Sequence, residues 1–134
     1  MEGIVAKRGG EIVARETGRG IGPALRLYRE GKLRGADVAD RIVGRAAAAL
    51  FVAGGAVSVH ADVMSEGAAE FLSAYGVPNG ADVITREIIN RAKTGICPME
   101  AAVKELDDPL RMIEAIERTW KVLSGAAKAA RKSS

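Results

Sequence analysis

The chain has 134 residues, 28% of them charged and 48% hydrophobic, with one cysteine, Cys97, and one histidine, His60. That length sets one domain as the default and is enough to bury a core without disulfides or metal. A lone cysteine excludes an internal disulfide and fits a reducing, cytoplasmic setting. The net charge of +3 is local: Arg118, Lys121, Lys128, Arg131 and Lys132 follow Glu117 with no acidic residue among them, and without these five acidic residues outnumber basic ones. The basic balance therefore belongs to the C-terminal end, with only Trp120 as a nearby aromatic, which points away from nucleic acid as a partner. Met1-Glu2-Gly3-Ile4 has no basic region ahead of an apolar run, so no signal peptide is expected. The longest apolar stretch, 46–57, has 12 residues, short of the roughly 18 a membrane span needs.

Ile4-Val5-Ala6 and Ile12-Val13-Ala14 flank Lys7-Arg8-Gly9-Gly10-Glu11. Gly-Gly between two β-type runs predicts a hairpin with strands near 3–7 and 11–15. Pro23 suits the first turn of a helix that Gly31 stops. Val38, Ile42, Val43, Ala46, Leu50 and Ala53 recur at helical spacing and predict a helix over about 38–53, the most buried of the chain, ended by Gly54-Gly55. Residues 56–61 alternate like a buried strand. Ser65 is a good N-cap for a helix over 66–75 that Gly76 terminates. Pro78 and Gly80 make 77–82 a short edge strand. Val83, Ile84 and Ile88 favour a helix over 83–90. Pro98 opens a short helix to about Leu106, and Asp108-Pro109 opens a last helix that carries Met112, Ile113, Ile116, Trp120 and Leu123 and stops at Gly125. The expected architecture is a three-layer α/β/α domain with a four- or five-stranded mixed sheet. It covers 1–124, and 125–134 form a mobile basic tail.

Three constellations could carry chemistry. In Asp40-Arg41-Ile42-Val43-Gly44-Arg45 a carboxylate stands in the first turn of the expected helix, and two guanidinium groups four apart could clamp a phosphate or carboxylate. Gly44 within that helix costs about 1 kcal/mol relative to Ala, so a ligand or a packed element should need its missing side chain. Between Asn90 and Glu100 stand Asn90, Arg91, Cys97 and Glu100 around Gly95. A thiol just before a helix can be partly thiolate at neutral pH, and Glu100 could cap that helix or act as a base. Gly18-Arg19-Gly20-Ile21-Gly22-Pro23 offers backbone amides and Arg19 to an anion. It lacks the Gly-Lys-Ser/Thr ending of a Walker loop. One His and one Cys give poor support for a metal, and no cofactor is expected. Each constellation also has a structural reading, as caps, a solvated basic edge, a buried thiol or a plain turn, and His60 reads as structural.

Gly18-Arg19-Gly20-Ile21 with Pro23, the block 39–47, and Ile89-Asn90-Arg91 followed by Gly95-Ile96-Cys97-Pro98-Met99-Glu100 resemble an uncharacterised prokaryotic family, domain of unknown function 1893, over about 3–116. The resemblance implies a cytidine-deaminase-like fold, with a mixed sheet flanked by helices and a tendency to form homo-oligomers, and brings no activity. Zinc deamination needs His or Cys followed two residues on by Glu at one helix start, and Pro-Cys-x-x-Cys at the next. Read at Val38-Ala39-Asp40-Arg41-Ile42 and Val63-Met64-Ser65-Glu66-Gly67, both sets are missing. Two functions remain: a domain that binds a small anionic or nucleotide-like metabolite at helix N-termini through Arg19, Arg41, Arg45, Ser65, Asn90 and Arg91, or an enzyme or sensor in which Cys97 reacts with help from Asp40 and Glu100. Nucleic-acid binding through the basic tail stands behind both. Asp40 and the 90–100 segment are expected to converge on one pocket.

Overall fold

The structure, a computed structural model, describes residues 3–18, 21–87 and 98–132. Ten elements follow in the order β1 (Gly3–Arg8), β2 (Glu11–Thr17), α1 (Gly22–Arg29), β3 (Asp37–Val43), α2 (Arg45–Gly54), β4 (Ser58–Ser65), α3 (Glu66–Ala74), β5 (Asn79–Thr85), α4 (Pro98–Val103) and α5 (Pro109–Lys132). The class is α/β: a mixed, open sheet of five strands in the order β2-β1-β3-β4-β5 with five helices, consistent with a three-layer α/β/α domain.

The hairpin forms where Gly-Gly predicts it. Arg8 pairs with Glu11, and Gly9 and Gly10 take φ of 60° and 86°, the positive values that a tight two-residue hairpin turn demands. β1 is antiparallel to both β2 and β3, while β3, β4 and β5 run parallel. Each parallel step needs a crossover, and α2 and α3 supply them.

The helix predicted over 38–53 is two elements. Residues 37–43 form β3, and only from Arg45 does the chain turn helical. Gly44 is the boundary, extended at φ −99°, ψ −178°, and not a costly mid-helix residue. The remainder is the most buried helix, as its composition implies: six consecutive residues, Ala46 to Phe51, are buried. A helix can be buried on every side only if neighbours surround it. Here α1, α3, α4 and α5 all pack against α2, which sits over β3. Small alanines permit that close approach. Leu50, Phe51, Leu25, Leu27, Leu72, Met112 and Ile116 fill the space around it.

Two further expectations change. Residues 83–85, expected to be helical, extend β5, because Val83, Ile84 and Thr85 are β-branched and fit a pleated edge better than a helical turn. The last helix does not stop at Gly125 but runs on to Lys132. Among the described residues no helix is long and apolar enough to cross a membrane.

Candidate functional site

The parallel strands β3, β4 and β5 run out along one edge of the sheet, and the first residues beyond each meet there. β3 leads through Gly44 into Arg45 at the start of α2. β4 ends at Ser65, whose buried Oγ accepts from the backbone N–H of Ala68 at 3.1 Å and caps α3. β5 gives way to Arg86 and Glu87. From the side, α4 brings Glu100, and Lys104 follows its last turn. These residues and Gly67 enclose a pocket of about 240 Å³. The carboxyl ends of parallel strands, where helix N-termini point, are where open α/β sheets bind ligands. A wider groove of about 700 Å³, between α1 and α5, is lined by Arg29, Trp120 and the charged face of α5. It lies off those strand ends and is bridged by the exposed pair Arg29–Glu117.

The pocket floor is held by two residues. The Glu100 carboxylate accepts from the backbone N–H of Arg45 at 3.0 Å and of Ala46 at 3.2 Å. It is the anion at the N-terminus of α2, where the orphan amides and the helix dipole favour negative charge. Burial pushes its pKa above the ordinary carboxyl range, against the pull of those two amides and the Arg45 charge. Arg45 Nη2 donates at 2.6 Å both to the Leu106 carbonyl and to Asp107 Oδ1, and the guanidinium lies 5.1 Å from the centre of the Phe71 ring. Among the described residues its buried Nε has no acceptor, a state that costs about 1–3 kcal/mol when left so. Arg86 and Lys104 are exposed at the rim. Beside the first turn of α3, Gly67 leaves open space where a side chain would stand.

Of the residues named from the sequence, Arg45, Ser65 and Glu100 come together. Asp40 does not stand at a helix start. It lies mid-strand in β3, and burial, reinforced by the neighbouring Asp62 charge and opposed by a hydrogen bond from the Arg41 N–H, raises its pKa from 3.8 to about 7. Arg41 is an exposed strand residue, so it shares no helical face with Arg45. Neither Asp40 nor Arg41 lines the pocket. Arg19, Asn90, Arg91 and Cys97 lie outside the described residues. His60 is an exposed residue of β4 with Nε2 3.6 Å from Asp82 Oδ1. Sequence reasoning missed Gly67, Arg86, Glu87 and Lys104. The β-branched run 83–85 carried the signal for two of these, since it makes the next residues a strand end.

Among the described residues no three His, Cys, Asp or Glu side chains stand close enough to share a metal ion. The starts of α1, α2 and α3 read Ile21-Gly22-Pro23, Gly44-Arg45-Ala46 and Ser65-Glu66-Gly67. None offers a thiolate or imidazole, and the second carries a fixed positive charge. The donor set at these three starts does not fit zinc.

A sequence profile described as TM1506: Domain of unknown function (DUF1893) matches residues 2–119. No curated protein matches the chain. A solved structure from Thermotoga maritima, titled as the crystal structure of a DUF1893 family protein (TM1506), is similar with a TM-score of 0.76 and 28% identity, over 91% of this chain and 79% of that one.

Proposed function

The chain belongs to the DUF1893 family, and from that footing we propose that it binds a small anionic metabolite in the pocket at the ends of β3, β4 and β5. The observation that carries this reading is the Arg45 guanidinium. It lines the pocket, is fixed by Leu106 and Asp107, and keeps a buried Nε–H with no acceptor among the described residues. A fixed donor of that kind is pre-organised for an oxygen of a phosphate or carboxylate. Lys104 adds a mobile charge at the rim, and the amides of the first turn of α3 lie beside Gly67, where nothing fills the space. Glu100 is occupied as the cap of α2, so it sets the shape of the pocket and leaves Arg45 to the ligand. About 240 Å³ suits a phosphate or carboxylate with a few attached carbons. A nucleotide would place its phosphate here and its base outside.

The fold is read as cytidine-deaminase-like, which the mixed sheet with interleaved helices supports, but deaminase chemistry is not part of the function. That chemistry requires zinc held by imidazole or thiolate beside a glutamate proton shuttle, and the starts of α1, α2 and α3 supply no imidazole or thiolate to hold it. Equilibrium titration with inorganic phosphate and with a nucleoside monophosphate tests the reading. Binding that weakens at least about tenfold in Lys104→Glu, with an unchanged fold, is the expected outcome. Binding indifferent to Lys104 and Arg45, or none, would remove the site.

A further inference from the structure

The pocket at the ends of β3, β4 and β5 is lined by charges of both signs. We propose that the anion held there also carries a protonated amine, and that the Glu100 carboxylate receives it. The inference rests on the anion-binding reading above and narrows it to a class of ligand: small zwitterions of the aminoalkyl phosphate kind.

Three cations, Arg45, Arg86 and Lys104, and two carboxylates, Glu87 and Glu100, line a space of about 240 Å³. Opposite charges gathered in so small a space can neutralise one another by direct contact. Here they do not. Among the described residues no two of these five form an ion pair, and Arg45 pairs instead with Asp107, which is not part of the lining. The Arg45 guanidinium is held by Leu106, Asp107 and the Phe71 ring, while the Glu100 carboxylate is bonded to backbone N–H groups at the start of α2. Positive and negative groups are thus kept apart in one pocket. A ligand that bears both charges satisfies that arrangement.

Glu100 has acceptor capacity left for such a partner. Capping α2 uses one bond to each oxygen, at 3.0 and 3.2 Å, and an ionised carboxylate has about four acceptor sites. Two amides and the Arg45 charge do not offset its burial, and its pKa stays above the ordinary carboxyl range. An ammonium group at the remaining sites supplies the missing counter-charge through a charge-assisted hydrogen bond. A simple anion at Arg45 Nε does the opposite, because it brings a like charge into the pocket that Glu100 lines. Glu87 is exposed, and solvent screens its charge, so Glu100 is the carboxylate that gains most from a counter-charge.

Equilibrium titration of the full chain with ethyl phosphate and with aminoethyl phosphate tests this, at about pH 8, where both phosphates are dianionic and the amine is protonated. Attraction to Arg45 alone favours ethyl phosphate, the more negative of the two. The aminoethyl compound is expected to bind at least about tenfold more tightly. Glu100→Gln should bring that ratio close to one, with ethyl phosphate bound at least as well as by the wild type, and Glu87→Gln should leave the ratio as it is. Circular dichroism and melting check that each variant folds, and the wild-type ratio decides the point even where a variant does not. Equal binding of the two ligands, or a preference for ethyl phosphate, overturns the inference and leaves the anion site standing. An amine preference that Glu87→Gln removes and Glu100→Gln keeps overturns the assignment to Glu100. If neither ligand binds, the anion site itself is removed, and the inference with it.

Discussion

Asp40 is a half-buried carboxyl whose ionised form has little to hold it. One backbone N–H helps it, while burial and the nearby Asp62 charge oppose it, and the pKa rises from 3.8 to about 7. The folded protein therefore binds a proton at Asp40 more tightly than the unfolded chain does. The stability linked to this group is present below about pH 4 and is lost as the pH rises to about 7. That interval corresponds to at most about 4 kcal/mol, and relaxation around the charge lowers it. Asp40→Asn keeps the shape and removes the charge. Denaturant unfolding should show the variant matching the wild type near pH 4 and exceeding it by about 1–3 kcal/mol at pH 8; equal stability at both would deny the burial cost. Glu100 has the same sign of shift but a different role, because its oxygens satisfy two orphan amides of α2. Glu100→Ala should cost about 1–2 kcal/mol at neutral pH, measured by the same unfolding experiment.

At the scale of elements, the sequence was readable wherever a backbone requirement had one residue type as its answer. Gly9-Gly10 marked the hairpin, Ser65 the cap of α3, and Asp108-Pro109 the start of α5, where Asp108 Oδ1 accepts from the Leu110 N–H at 3.0 Å. It failed at 38–53, because a buried parallel strand and a buried helix both present continuous apolar residues and periodicity does not separate them. Gly44 was the clue, read as a cost inside a helix when it was the joint between two elements. The same misplacement put Asp40 and Arg41 at a helix start, whereas the edge of helix starts anticipated there exists five residues later, at Arg45. The other end of α2 is set by steric closeness. A methyl at Gly54 would meet Leu33 Cβ at 2.8 Å and Cδ1 at 2.7 Å, and Leu33 is fully buried. Gly54→Ala should therefore destabilise by about 1–3 kcal/mol, whereas an exposed, unhindered helix-end glycine would gain slightly from the same change. A melting temperature that rises would contradict this packing.

For the whole molecule, the fold brings the ends of β3, β4 and β5 and the starts of α2 and α3 to one sheet edge. α2 is enclosed by four helices and the sheet, so its N-terminus is fixed in place, and Arg45 and Glu100 with it. In the proposed binding role, rigid surroundings would spare the guanidinium an ordering cost on binding. The basic residues after Glu117 all fall within α5, and neither Arg118 nor Lys121 lines this pocket. The two ways of holding an anion, a fixed pocket and a charged helix end, are therefore separable in space. The most direct test is to map a phosphate titration of the isotopically labelled full chain residue by residue by nuclear magnetic resonance. Saturable shifts are expected at the backbone amides of Arg45 and Ala46, at 66–68 and at Arg86, together with the Arg45 Nε–H, and none that saturate at 121–132. Shifts confined to 121–132, or spread over the surface without saturation, would contradict a binding site at the ends of β3, β4 and β5.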